Sequence, residues 1–292
     1  MLTSMKQKKM VMPVSKSGNA SKIPADNLNP FDADTLCCTG FYENEWVRML
    51  LDDNFHPGGE ALTRRSVAGM ALQPGAVIAD LGCGTGSSAL LIARENELQV
   101  HGIDRGASNI DRARQRQQES DIEPTRLRFQ QGDMSKLPFQ HGELDAIIAE
   151  CTFSLMTDQQ AVLNEFKRVL RPGGSLMISD MAIEGVLAQD IKEVIAPWTC
   201  LVNAHDNAGY LALFEQGGFD CIGSSDESAG LLSMISTIKR KLVLLGTGMA
   251  MGNLQDFEFD LATAKHWLQR MQNEVETGCI RYLGFHLQNR VV

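Results

Sequence analysis

The residues from Asp80 to Gly86 have the clearest capacity for chemistry in this sequence. An acidic side chain is followed there by three glycines at alternate positions, in the order Asp-Leu-Gly-Cys-Gly-Thr-Gly. Glycine has no Cβ and adopts positive φ angles at no steric cost, so this backbone can turn sharply and approach a ligand closely. A helix is expected from Ser87, and its first amide groups would point toward a ligand above the turn.

Glycine turns between a strand and a helix serve more than one class of nucleotide-like ligand. Dinucleotide-binding folds need glycines at the first, third and sixth places. Counted from Gly82, the sixth place is Ser87, so this spacing fails and a nicotinamide-dependent oxidoreductase is the less favoured alternative. The segment instead resembles the first motif of class I methyltransferases that depend on S-adenosylmethionine (SAM). The resemblance implies that Asp80 lies near the methionine end of SAM. It assigns the methionine and ribose parts to the backbone of five residues: Gly82, Cys83, Gly84, Thr85 and Gly86.

The ends of the next two predicted strands supply further candidate cofactor contacts. Asp104 ends the second strand, where an acid can lie beside the glycine turn and accept hydrogen bonds from both ribose hydroxyls. Its alternative role is to cap the following helix. The resemblance further implies that Asp133 receives the adenine amino group and that Met134 packs on the adenine ring, with a surface turn as the alternative. Their neighbours complete the predicted cofactor contacts: Arg105 and Gly132.

The fourth strand is predicted over residues 144–149, and its carboxyl end should face the reacting methyl group, because open α/β sheets bind ligands there. Glu150 at this end is the leading candidate for a general base, which is needed only if the acceptor arrives protonated. A role as a cofactor-side or capping carboxylate is the open alternative. Behind Glu150 stand three weaker candidates for the base: Tyr42, His56 and Asp180.

Two cysteines point to a different acceptor chemistry. The segment 150–155 resembles the one after the fourth strand of arsenite methyltransferases, so the resemblance assigns an arsenic-binding role to Cys151. Cys200 is similar, less closely, to their second arsenic-binding cysteine, because the two glycines that usually follow are missing. Cys37 and Cys38 could add an N-terminal thiol. Soft thiolates select soft centres such as trivalent arsenic, which needs no base to attack a methyl group.

Each cysteine also has a purely structural interpretation, because cysteine is commonly a small buried hydrophobe. That interpretation is the one we favour for Cys83, which fills space in the glycine turn, and for Cys221 and Cys279, which we expect in the core. The seven cysteines are odd in number and include no C-x-x-C pair. Their pattern disfavours a secreted disulfide scaffold and a structural zinc site, and it indicates reduced thiols in a cytoplasmic protein.

Composition excludes several partner classes. The formal net charge of −9 disfavours general nucleic-acid binding, which depends on contacts between basic residues and phosphates. No apolar run approaches the roughly 20 residues that span a bilayer, so no membrane association is expected. Residues 1–14 lack the apolar segment of a signal peptide. A small molecule is therefore the expected partner, and the sequence leaves monomer or dimer open.

The order of the predicted elements gives the architecture. We expect an α/β fold with a doubly wound, seven-stranded, mostly parallel sheet of the Rossmann-like methyltransferase type, with N-terminal helices and a helical insertion before the last strand. The predicted divisions are a flexible leader over 1–35, an N-terminal helical cap over 36–74, a SAM-binding core over 75–225, and the insertion with its closing strand over 226–292. Thr157 is expected to cap the helix that follows the fourth strand, and the fifth strand is expected from Ser175.

These features predict an enzyme that transfers a methyl group from SAM to a small molecule and releases S-adenosylhomocysteine (SAH). Two acceptor classes are open: arsenite bound to thiols, and a carbon acid of the ubiquinone or menaquinone type that related methyltransferases modify. A protein that binds SAM without transferring its methyl group is the alternative from another functional class.

Overall fold

A computed structural model of the chain describes residues 56–250 and 261–291. The predicted leader over 1–35 and most of the predicted cap lie outside the described residues. So do three candidate site residues: Cys37, Cys38 and Tyr42.

In the described part of the chain, seven strands form one sheet in the order β3-β2-β1-β4-β5-β7-β6. The strands are β1 Val77–Leu81, β2 Gln99–Asp104, β3 Leu127–Gln131, β4 Leu144–Glu150, β5 Leu170–Ile183, β6 Phe219–Asp226 and β7 Ile280–Asn289. β1 to β5 pair in parallel, whereas β7 runs antiparallel to both β5 and β6. The predicted fold class, a doubly wound and mostly parallel seven-stranded sheet, is confirmed.

Helices cover the sheet and separate its last two strands in sequence. They are α1 Gly59–Gly69, α2 Ser87–Glu95, α3 Ala107–Gln118, α4 Gln159–Val169, α5 Gln189–Val194, α6 Asn207–Gln216, α7 Ser228–Ala250 and α8 Leu261–Glu276. The last two form the predicted insertion between β6 and β7. Among the described helices, none combines the length and the apolar character needed to cross a bilayer.

The middle of the sheet is buried on both faces, which fixes the strand ends that carry the site. Ile78, Leu81, Ile147 and Ile148 from β1 and β4 have no exposed surface. Phe166 on the apolar stripe of α4 is equally buried. Complete burial of each such side chain contributes about 1.5–3 kcal/mol, so the carboxyl ends of β1 and β4 are held rigidly beside each other.

Two local predictions are wrong. β5 begins at Leu170, directly after α4, and not at Ser175, because Leu170 already pairs with Leu144 across a register shift. Asp158, and not Thr157, is the N-cap of α4: its carboxylate accepts a hydrogen bond from the Ala161 amide at 2.9 Å. Aspartate is as good an N-cap as threonine, and the backbone geometry at the helix start decides between them.

Candidate functional site

The predicted glycine turn lies between β1 and α2 and uses the conformations that only glycine adopts freely. Gly82, Gly84 and Gly86 have φ angles of 72°, 53° and 83°. A Cβ on Gly82 would lie 2.3 Å from the Thr152 hydroxyl oxygen, so the turn is in direct contact with the segment after β4. The glycine turn and the segment after β4 therefore lie against each other.

Asp104 at the end of β2 braces the glycine turn. Its Oδ2 accepts a hydrogen bond from the Gly84 amide at 2.8 Å, and its Oδ1 accepts from the Gly106 amide at 2.8 Å and from Asn109 at 3.2 Å. Thr85 in the same turn is buried and accepts hydrogen bonds from Arg116 through its carbonyl and its hydroxyl group. These contacts hold the turn in place, while the contact of Asp104 with a ribose stays a prediction.

The surroundings of Asp80 disfavour the ionised form of its carboxyl group. Its side chain is almost fully buried, and its Oδ2 has no hydrogen-bond partner among the described residues. Burial first, and then the negative charges of Glu150 and Asp104, raise the pKa of Asp80 well above its ordinary value. Burial first, and then the negative charges of Asp80 and Asp104, raise the pKa of the Cys83 thiol, which agrees with the structural role expected for this residue.

The predicted adenine contacts lie at the end of β3. Asp133 accepts hydrogen bonds from the amide and the hydroxyl of Ser135 at 2.8 and 2.6 Å, and these bonds lower the pKa of its carboxyl group. Met134 is buried, whereas the Arg105 side chain is largely exposed and lies 3.8 Å from Asp133. The Gly132 amide donates to the Asp104 carbonyl at 3.0 Å, which joins this segment to the end of β2.

Glu150 is surrounded by polar side chains that sequence reasoning missed or undervalued. Thr63 donates to both carboxylate oxygens at 3.1 and 3.0 Å, and Ser88 donates to Oε2 at 2.7 Å. His56, one of the weaker candidates for the base, is buried with its Nε2 3.3 Å from Oε2. This network joins α1, α2 and β4. The only sequence signal for it was the position of Ser88 in the first turn of α2, beside the glycine turn.

Cys151 and Cys200 are brought together from segments that are far apart in sequence. Their sulfur atoms lie 2.9 Å apart, and the Cys200 thiol also contacts the Cys151 carbonyl oxygen at 3.0 Å. The two thiols are not joined in a disulfide. With Asp180, they form a cluster of potential ligand atoms that all lie within 4.8 Å of one another. Burial raises the pKa of Asp180 to about 6, although several hydrogen bonds oppose the shift.

Two of the other cysteines do not lie where we expected them. Cys221 is exposed on β6 and Cys279 is only partly buried just before β7, so the prediction of core positions is wrong. Cys221 occupies an edge strand, where every residue after Phe219 is solvent-exposed. Since both faces of β6 are open to solvent at this point, an apolar side chain there is exposed whichever way it points.

The residues around the glycine turn fit the cofactor that the sequence predicts. Within residues 56–250 and 261–291, one buried carboxylate oxygen of Asp80 lacks a donor, and the charges of Asp80, Asp104 and Glu150 oppose one another. SAM carries an ammonium group, a sulfonium and ribose hydroxyls, which together offer positive charge and hydrogen-bond donors. A positively charged ligand with many hydrogen-bond donors would therefore reduce the repulsion among these acids and supply the missing donor.

Comparison with known proteins agrees with this assignment. The family model described as a methyltransferase domain matches residues 72–218. Over 219 residues, the chain is 30% identical to the methyltransferase GfsG of Streptomyces halstedii, a match that covers 68% of this chain and 78% of that protein. It is also 30% identical over 168 residues to an arsenite methyltransferase of Halobacterium salinarum, covering 56% of this chain and 42% of that protein.

The fold is shared with solved methyltransferase structures. Phosphoethanolamine N-methyltransferase 2 of Haemonchus contortus, solved in complex with SAM, superposes with a TM-score of 0.71 at 17% identity. The superposition covers 84% of this chain and 56% of that one. From its family model, its relatives and its sheet, the chain belongs to the methyltransferase-domain family and is a class I SAM-dependent methyltransferase.

Proposed function

We propose that this methyltransferase acts on a small molecule, trivalent arsenic, held by the thiols of Cys151 and Cys200. The observation that carries the proposal is the 2.9 Å separation of the two sulfurs, whose residues are 49 positions apart in the chain. Two converging thiols hold a soft centre far more tightly than either does alone. The similarity to the arsenite methyltransferase of Halobacterium salinarum supports the same acceptor.

Loading of this acceptor needs no external base. Arsenous acid exchanges two of its hydroxyl groups for the sulfurs of Cys151 and Cys200. Each thiol proton leaves with a displaced hydroxyl group as water, so two arsenic–sulfur bonds form and two water molecules are released. The third position of the arsenic keeps its hydroxyl group or takes an added thiol, and the arsenic lone pair stays available.

Alignment is the main task of the protein in the transfer step. When bound, SAM supplies an electrophilic methyl group, which the arsenic lone pair takes while the carbon–sulfur bond electrons remain on the sulfur of SAH. Cys151 holds the acceptor in the segment after β4, and the contact between Thr152 and Gly82 fixes that segment against the glycine turn. Positioning of this kind, with exclusion of water, can provide much of the rate acceleration.

We assign Glu150 to the cofactor side of the site and not to proton removal. Thr63 and Ser88 donate to its two oxygens and His56 lies beside them, so the carboxylate is held between α1 and α2. A lone pair on arsenic carries no proton, so the reaction requires no base. We further propose that Asp80 receives the donors of the SAM methionine end, because its buried oxygen needs them.

Purified protein, SAM, sodium arsenite and a reducing thiol form the direct test. We expect methylated arsenic, detected by liquid chromatography with elemental mass spectrometry, together with an equal amount of SAH. Cys151→Ser and Cys200→Ser should each reduce the rate at low arsenite by about 100-fold, because chelation by two ligands is lost. Both variants should bind SAM with the affinity of the wild type in calorimetry.

Cys221→Ser is the matched control, because this cysteine is exposed on an edge strand. It should leave arsenic methylation unchanged. A wild-type protein that binds SAM but transfers no methyl group to arsenite would refute the acceptor, and carbon acids would then be the next substrates to assay. The need for reduced thiols accords with a reducing compartment such as the cytoplasm, which completes the proposal.

A further inference from the structure

The segment after β4 has a backbone conformation that its residue type does not favour. Cys151 has a φ of 54°, which makes it one of two described non-glycine residues in the left-handed region. This conformation is costly for a residue with a side chain and persists only where the surroundings impose it. The Cys151 amide donates to the Ser179 carbonyl oxygen at 2.7 Å, which ties the start of the segment to β5.

Asp180, the next residue of β5, ties down the other end of the same segment. Its fully buried carboxylate accepts hydrogen bonds from the amide and the hydroxyl of Ser154 at 2.8 and 2.6 Å. It also accepts from the Met181 amide at 2.8 Å and from the Phe153 amide. The single turn of 3₁₀ helix over Phe153–Leu155 is therefore held to β5 by one side chain.

The same carboxylate lies close enough to the two sulfurs to be taken for a third ligand. Its hydrogen bonds argue against that role. A carboxylate offers about four lone-pair positions, and the four donors around Asp180 use them. To bind an acceptor directly, Asp180 would have to release a buried donor, and a buried donor left without a partner is costly.

We propose that Asp180 is a positioning residue for the acceptor thiols. By holding Phe153 and Ser154 against β5, it keeps Cys151 in the left-handed conformation in which its sulfur meets that of Cys200. The inference rests on the proposed function, because it takes this thiol pair to be the acceptor site. It adds that a buried side chain without direct contact to the acceptor determines how well the pair captures it.

Phenylarsine oxide separates a positioning role from a ligand role. Its arsenic takes two thiols and carries a phenyl group in the third position, so no carboxylate can join. In Asp180→Asn, the side-chain NH₂ group would face a backbone amide in either orientation, that of Ser154 or that of Met181, donor against donor, and the hold on the segment would weaken. We expect this variant to bind phenylarsine oxide about tenfold more weakly, which corresponds to about 1.4 kcal/mol. Its affinity for SAM should stay within about twofold of the wild type, since the glycine turn is unchanged.

Ser154→Ala is the second variant, and it removes one of the four donors while Asp180 stays. We expect a smaller loss of phenylarsine oxide affinity in the same direction, and this variant decides the question if Asp180→Asn fails to fold. Unchanged affinity for phenylarsine oxide in the folded variants would overturn the proposal. A loss of affinity for arsenite alone would also overturn it, because that result would show that Asp180 binds the arsenic directly. Failure of the proposed function would look different: the wild type would capture phenylarsine oxide through Cys151 and Cys200 but methylate no arsenic.

Discussion

The substitution Asp80→Asn tests whether this site stores an electrostatic cost that the cofactor relieves. Asp80 is buried, one of its oxygens has no donor among the described residues, and Glu150 and Asp104 add repulsion. A buried polar group without a partner costs about 1–3 kcal/mol, and more when it is charged. Asparagine keeps the shape and the acceptor for the Ala89 amide, and its NH₂ group can donate toward the neighbouring acids. The ligand-free variant should therefore be more stable than the wild type by about 1–2 kcal/mol.

The same substitution should weaken the binding of SAM. A hydrogen bond to a charged group contributes about 1.5–3 kcal/mol, so loss of the carboxylate should reduce the affinity about 10-fold to 150-fold. Urea unfolding followed by far-UV circular dichroism gives the stability, and calorimetry gives the affinity. Asp111→Asn is the control for net charge, because the Asp111 side chain is 79% exposed on α3 and should change neither quantity. A less stable Asp80→Asn protein, or one that binds SAM as the wild type does, would refute the reasoning.

Single contacts of the fold and the site can be tested one at a time. Gly75 has a φ of 83° with nothing within 4 Å of an added Cβ, so Gly75→Ala should cost about 1 kcal/mol of unfolding free energy. Gly82→Ala should cost about 1–3 kcal/mol more and weaken SAM binding, because its Cβ would collide with Thr152. Equal losses in urea unfolding would contradict this difference. The pKa of Asp180 is about 6 in the folded protein and 3.8 in the unfolded chain, so the folded protein keeps this proton to a higher pH. As the pH rises through this interval, the wild type should lose about 3 kcal/mol of unfolding free energy relative to Asp180→Asn. Parallel pH profiles of stability for the two proteins would contradict this prediction. Thr63→Val removes the hydroxyl group that donates to both carboxylate oxygens of the buried Glu150. The substitution should lower the stability measured by thermal unfolding by about 1–3 kcal/mol. Thr63→Ser is the conservative control, which keeps a hydroxyl group and should keep most of the stability.

Local patterns in the sequence were sufficient for the architecture around the cofactor. The apolar run of β1, the glycine spacing from Gly82 to Gly86 and the acid that ends β2 each depend on residues that are neighbours in the chain. Backbone conformation at such a turn is set by which residues lack a Cβ, so the sequence could predict the turn. Its ligand class was predicted from the resemblance of the motif to that of class I methyltransferases. The helical insertion before the closing strand was also predicted, whereas the place of β7 between β5 and β6 in the sheet was not.

The contacts on which the proposed acceptor site rests were decided by the tertiary structure alone. Cys151 and Cys200 were each plausible as buried hydrophobes, and only the packing of the segments that carry them brought their sulfurs to 2.9 Å. The sequence around Thr63 and His56 likewise does not indicate that they surround Glu150. Nor does the sequence around Asp180 indicate that this residue anchors the segment after β4. The physical reason is that side-chain neighbours across elements depend on how helices and strands pack, and packing depends on the whole core and not on spacing along the chain.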